Sequence, residues 1–128
     1  MHRIVLYVED LAADVAFMED FLSGFEAVRL ITASTAEAGV LRAREAAPDV
    51  ILMDIDFDGG MNGHEALVLL QANPDTREIP VIALTAHASP RDPARLTYGG
   101  FLRCLRKPLK LRELEAALSL AIPLIAHR

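Results

Sequence analysis

The stretch "DVILMDIDFDGGMNGHEAL", Asp49 to Leu67, supports two incompatible folds. Asp54, Asp56, Asp58, Gly59 and Glu65 satisfy the calcium-loop pattern D-x-[DN]-x-[DN]-G-x₅-E, which belongs between two helices. The same residues also read as an apolar strand that closes on one aspartate. The segment ahead of Asp54 decides between them. A calcium loop needs a helix running directly into it, whereas "DVILMD" is apolar, contains the β-branched Val50 and Ile51, and follows Pro48, which disrupts any helix reaching that point. We therefore read a strand, with the calcium pattern as coincidence.

"VILM" is apolar at every position, as a central strand covered on both faces should be. Outward from it, comparable runs recur at 3–8 ("RIVLYV"), 27–32 ("AVRLIT"), 80–85 ("PVIALT") and 101–105 ("FLRCL"), with helical segments between them. Leu11, Val15, Met18 and Leu22 form one helical stripe. Residues 35–47 and 63–72 are further helices, ended by Pro48 and Pro74. Ser89-Pro90 starts a short helix to about Tyr98, left through Gly99-Gly100. A last helix from about Leu109 carries Leu111, Leu114, Leu118, Ile122 and Ile125. Alternating strands and helices predict an α/β fold, a three-layer α/β/α doubly wound sandwich on a five-stranded parallel sheet. Ligands of such sheets bind beyond the carboxyl ends of the strands.

Composition sets the boundaries. With 128 residues and 52% hydrophobic content the expectation is a single domain, 1–128, with its own core. A formal charge of −5 argues against binding nucleic acid or an anionic membrane surface. No apolar run approaches the roughly 18 residues of a membrane span, and the start "MHRIVLYVED" has neither the apolar core nor the cleavage site of a signal peptide. The single cysteine excludes an internal disulfide and fits a reducing compartment, so a cytoplasmic location is expected.

Chemistry collects at the expected strand ends: Glu9 and Asp10 after the first, Asp54 on the third, Thr85 on the fourth, and Lys107-Pro108 after the fifth. Three carboxylates brought together repel one another unless a hard cation sits among them, which predicts a Mg²⁺ site with oxygen ligands and retained waters. The bland reading of Glu9 and Asp10 is a helix N-terminus favoured by the helix dipole, and of Thr85 a β-forming residue.

"YVED", "ILMDI", "MNGHEAL", "IPVIALTAHA" and "LRKPL", in that order over essentially the whole chain, resemble the receiver domain of two-component response regulators. The resemblance implies a flavodoxin-like strand order 2-1-3-4-5, with Asp54 accepting a phosphoryl group from a histidine kinase or a histidine phosphotransfer protein. It further implies Mg²⁺, or Mn²⁺, held by Glu9, Asp10, Asp54 and the backbone carbonyl of Asp56. Lys107 would give a positive charge to Asp54 and the phosphoryl oxygens, Thr85 a hydrogen bond to the same group, and Pro108 a cis peptide. Such a chain is no enzyme beyond self-catalysed phosphorylation and dephosphorylation. It has no room for an output domain, so it is expected to act as a stand-alone receiver through protein contacts, or as a phosphate shuttle or sink.

Two departures from the family pattern stand out. The loop "DFDGG" is one residue longer than usual, and Asp56 lies beside the expected phosphate, where it could raise metal affinity or alter water access. Cys104 replaces the usual aromatic, which moves the expected switch to the loop after Thr85 and the fourth helix; the thiol itself reads as a small buried hydrophobe. His87 reads as a loop histidine, and His2, His64 and His127 as surface residues. Leu120 and Leu124 extend the apolar face of the last helix, which predicts a partner contact, with a second copy in a homodimer or with the kinase; the bland reading is a last turn, bent or ended at Pro123, folded back onto the domain. Two rival functions remain: a phosphorylation-independent scaffold, and a Mg²⁺-dependent aspartyl phosphohydrolase using Asp56 as acid–base.

Overall fold

Every residue of the runs 50–54 and 81–85 is buried, which settles the strand reading of the deciding stretch. In a computed structural model describing residues 2–57, 59–86 and 100–127, the strands are β1 (Arg3–Val8), β2 (Val28–Ala33), β3 (Val50–Asp54), β4 (Val81–Thr85) and β5 (Arg103–Arg106). They form one parallel sheet in the order β2-β1-β3-β4-β5. The helices are α1 (Ala12–Leu22), α2 (Ala36–Ala46), α3 (Gly63–Ala72) and α4 (Leu111–Ser119). The expected fourth helix at 89–98, His87 and Asp58 lie outside the described residues.

Alternation along the strands feeds two cores. Leu6, Val8, Ile51, Met53 and Ala83 meet Val40 and Ala43 of α2 and Leu67 and Leu70 of α3 on one face. Val5, Tyr7, Leu52, Ile82 and Leu84 meet Met18 and Leu22 of α1 and Leu114 and Leu118 of α4 on the other. Removing a fully buried Leu or Ile side chain from either layer costs on the order of 2–5 kcal/mol, so both layers are needed to hold the central strands.

Local rules set the helix starts near the site. The Thr35 side chain accepts from the Ala38 amide at 3.0 Å, and Asn62 and Glu65 form a reciprocal capping box at the start of α3. Gly63 permits that helix to sit against the end of β3, since a Cβ there would fall 2.8 Å from Ile55 Cα. Gly59 and Gly60, shortly before α3, both take positive φ, at 75° and 64°, a left-handed conformation that suits glycine.

Three sequence expectations shift. Leu11 precedes α1 and is exposed, so the buried stripe of that helix begins later. Phe101 is buried against the α2–α3 core, yet the strand starts only at Arg103: its hydrophobicity marks the core rather than the ladder. The last helix stops at Ser119. Beyond it the Glu26 amide donates to the Ile125 carbonyl at 2.7 Å and the His127 amide to the Gly24 carbonyl at 3.0 Å, around an antiparallel bridge between Phe25 and Ala126. The tail therefore folds back onto the domain, with Leu124 against the core and Leu120 and Ile125 exposed.

Candidate functional site

Parallel register brings the predicted residues to one edge. Val8 pairs with Met53, Asp54 with Leu84, and Thr85 with Arg106, so the residues that follow or end these strands emerge together. Glu9, Asp54 and Thr85 are buried, and Asp10 is exposed. Carboxylate oxygens of Glu9, Asp10 and Asp54 all lie within 4.8 Å of one another. The Lys107–Pro108 peptide is cis.

Lys107 is the cation of this cluster. Its Nζ lies 2.5 Å from Glu9 Oε1, 3.4 Å from Asp54 Oδ2 and 3.4 Å from Asp14 Oδ2. Its closest partner is therefore Glu9, with Asp54 second. Glu9 also accepts from the Tyr7 hydroxyl at 3.2 Å and from the Asp10 amide at 3.1 Å. Burial, then the adjoining Asp54 carboxylate, push Glu9 up to about 7 against the opposing pull of Lys107. Burial and the same carboxylates raise Tyr7, which stays a phenol. Burial pulls the Lys107 ammonium down, but hydrogen bonding to Glu9 and the charges of Asp54, Glu9 and Asp14 outweigh it and carry its pKa up.

Asp54 and Asp56 are tied by a turn: the Asp56 amide donates to Asp54 Oδ1 at 2.9 Å. The Asp56 carboxylate reaches across to β4, where Oδ2 accepts from the Thr85 hydroxyl at 2.9 Å and from the Ala86 amide at 2.7 Å. Thr85 thus sits at the site edge, as expected, but its hydroxyl donates its hydrogen bond to Asp56. None of this resembles a calcium loop. β3 enters where a helix should, and Glu65, the last position of the pattern, is used in the capping box.

Buried carboxylates around one lysine at the carboxyl edge of a 2-1-3-4-5 sheet find their counterpart in a family profile. The response regulator receiver domain profile matches residues 5–119. The chain belongs to that family. Among curated relatives, the polar-differentiation response regulator DivK of Brucella ovis is 38% identical over 113 residues, covering 87% of this chain and 89% of that one. Among solved structures, the receiver domain of a Pseudomonas aeruginosa sensor histidine kinase, which has a magnesium ion coordinated in its active-site cleft, superposes with a TM-score of 0.82 at 28% identity, covering 94% of this chain and 98% of that one. The chemotaxis protein CheY4 of Vibrio cholerae shares the fold, with a TM-score of 0.82 at 22% identity over 95% of this chain and all of that one (100%).

This receiver domain is a phosphoacceptor signalling module with a histidine kinase as its implied partner, and it is not a conventional enzyme. The phosphohydrolase alternative falls with that assignment. The Glu9, Asp10 and Asp54 cluster suits the divalent cation of a receiver: it offers hard oxygen donors, and Lys107 is the cation paired with its buried carboxylates among the described residues. No helix among the described residues is long and apolar enough to cross a membrane.

One site residue of this receiver, Asp14, and the bonding partners of another, Asp56, escape sequence reading. Asp14 was visible only as an acid four residues beyond Asp10, a spacing that acquires meaning once Lys107 is seen to reach it. The Asp56 carboxylate was visible, but its bonds to Thr85 and Ala86 join residues 29 and 30 apart in sequence, and no local pattern encodes them. Cys104 is half-buried beside the α2–α3 core, and burial followed by the Asp56 charge raises its thiol pKa, in keeping with a small hydrophobe. His64 is exposed and stacks edge-on against Phe101 at 5.6 Å.

Proposed function

We propose that Asp54 is the phosphoacceptor, taking its phosphoryl group from a phosphohistidine on a histidine kinase or histidine phosphotransfer protein. The observation that carries this reading is the buried Asp54 carboxylate at the end of β3, with Oδ2 3.4 Å from Lys107 Nζ and Glu9 and Asp10 beside it. An aspartate attacking phosphorus needs a neighbour to offset the charge gathering on the transferring oxygens. Lys107 is held for that task by buried Glu9 and partly exposed Asp14, 2.5 Å and 3.4 Å from its ammonium.

Glu9, Asp10, Asp54 and the Asp56 carbonyl would hold Mg²⁺, or Mn²⁺. When bound, such an ion neutralises phosphoryl oxygens and orients the donor. Asp56 contributes its amide to Asp54 Oδ1, which leaves Oδ2 toward Lys107 as the attacking oxygen. Thr85, with its hydroxyl at the same edge, would donate to a phosphoryl oxygen. The cytoplasm, where such kinases and their donors act, fits the single cysteine. The test is intact-protein mass after incubation with acetyl phosphate and Mg²⁺. One phosphoryl adduct on the native chain and none on Asp54→Asn is the expected result; an adduct on both would move the acceptor elsewhere, and none on either would favour the scaffold.

A further inference from the structure

We infer that the Asp56 carboxylate is an internal stand-in for the phosphoryl group: it occupies the Thr85 hydroxyl and the Ala86 amide, and must release them when Asp54 carries a phosphoryl group or its mimic. The inference rests on Asp54 being the acceptor.

Both donors meet a single oxygen. Asp56 Oδ2 accepts from Thr85 Oγ1 at 2.9 Å and from the Ala86 amide at 2.7 Å, one hydroxyl and one backbone N–H converging on one anionic oxygen, as they would on an oxygen of a phosphorylated aspartate. The occupant is anchored beside the acceptor, because the Asp56 amide donates to Asp54 Oδ1 at 2.9 Å. Competing roles for the carboxylate find less support. Its oxygens are not among those that cluster with Glu9, Asp10 and Asp54, and no Lys or Arg among the described residues pairs with it. The sequence left open whether Asp56 serves the metal or the phosphate; the side chain turns to the donors on the phosphate side.

Two consequences follow. The donors are already drawn toward the site before phosphorylation, so Asp56 acts as a positioning residue for Thr85. It also competes: a phosphoryl group or mimic binds the fraction of molecules in which Asp56 has let go, and its apparent affinity is reduced by that fraction. The hydroxyl of Thr85 exchanges one anionic acceptor for another, so its removal costs little in the native chain and much once Asp56 is gone.

The experiment is calorimetric titration with beryllofluoride, formed from Be²⁺ and F⁻ with Mg²⁺ present, on the native chain, Asp56→Ala, Asp56→Asn, Thr85→Ala and the Asp56→Ala/Thr85→Ala double variant. Asp56→Ala should bind beryllofluoride about tenfold more tightly than the native chain, equivalent to about 1.4 kcal/mol. Asp56→Asn, which keeps an acceptor without the charge and preserves the local hydrogen bonding if the alanine variant unfolds, should gain less. Thr85→Ala should weaken binding more in the Asp56→Ala background than in the native one, a coupling that a merely structural role would not produce. Unchanged or weaker binding by both Asp56 variants, with the native chain binding normally, overturns the inference. Failure of the native chain to bind beryllofluoride, matched by failure to form an adduct with acetyl phosphate, would instead remove the Asp54 reading and the inference with it.

Discussion

At the amino end of the sheet the Ile4 amide donates to Asp49 Oδ2 at 2.7 Å, the Asp49 amide returns a bond to the Ile4 carbonyl at 2.8 Å, and Arg3 lies 3.9 Å from the other carboxylate oxygen. At the carboxyl end three carboxylates, two of them buried, crowd within 4.8 Å, and Lys107 is shared between Glu9, Asp54 and Asp14. The same strands run through both ends. One aspartate closes its bonds locally and stabilises the fold; the other cluster leaves negative charge in excess of positive, a standing cost that a cation or a transferred group can relieve. Stability and function are thus separated by the length of a strand.

Loss of the shared lysine is the harshest way to break this contrast. Lys107→Met leaves buried carboxylates without their cation, and the native state should lose about 3–5 kcal/mol by urea denaturation without Mg²⁺. Added Mg²⁺ should restore part of that loss, while adduct formation from acetyl phosphate falls at least about tenfold. A loss below about 1 kcal/mol would mean that the carboxyl end is not strained as described.

Acidity probes the same excess charge more gently. Glu9 titrates near 7 in the folded chain against an ordinary value of 4.5. The native state therefore holds the proton more readily than the unfolded chain, so the contribution of Glu9 to stability is full below about pH 4.5 and is lost as pH rises through about 7. In EDTA, the native chain should lose stability relative to Glu9→Gln between about pH 5 and about pH 8. A constant difference between the two chains across that range would remove Glu9 as the titrating group.

Asp49→Ala supplies the opposite end of the comparison. It removes the acceptor of the Ile4 amide, and the cost should be about 1–2 kcal/mol in a half-exposed position, with the adduct yield from acetyl phosphate unchanged. Altered phosphorylation in this variant would show that the two ends are coupled. The smallest effect is expected at Ala47, which ends α2 at φ 47°, a left-handed conformation that suits glycine. Ala47→Gly should leave the site untouched and raise stability by up to about 1 kcal/mol.

Residues whose roles are local were legible in the sequence. The fully apolar "VILM", the Pro48 ahead of it and the alternation of runs and stripes suffice for the sheet, because strand burial and helix periodicity are written in neighbouring positions. Glu9, Asp10, Asp54, Thr85 and Lys107 could be placed at one edge because parallel strands send their ends there. Side-chain partnerships across that edge were hidden. Lys107 reaches Glu9 and Asp14 across more than ninety positions, and Thr85 could be assigned to the edge but not to Asp56. Phe101 and Ile125 misled for a related reason: apolar character reports burial or surface chemistry, and tertiary packing chooses which.

The folded-back tail bears on how the molecule can be attached to other things. With Phe25 bridged to Ala126 and His2 and His127 lining the same shallow recess, both ends of the described chain meet at the amino edge, about 20 Å along β1 from Glu9. A fluorophore or a surface tether attached at His2 or His127 would therefore leave the carboxyl edge, with Glu9 and Asp54, open.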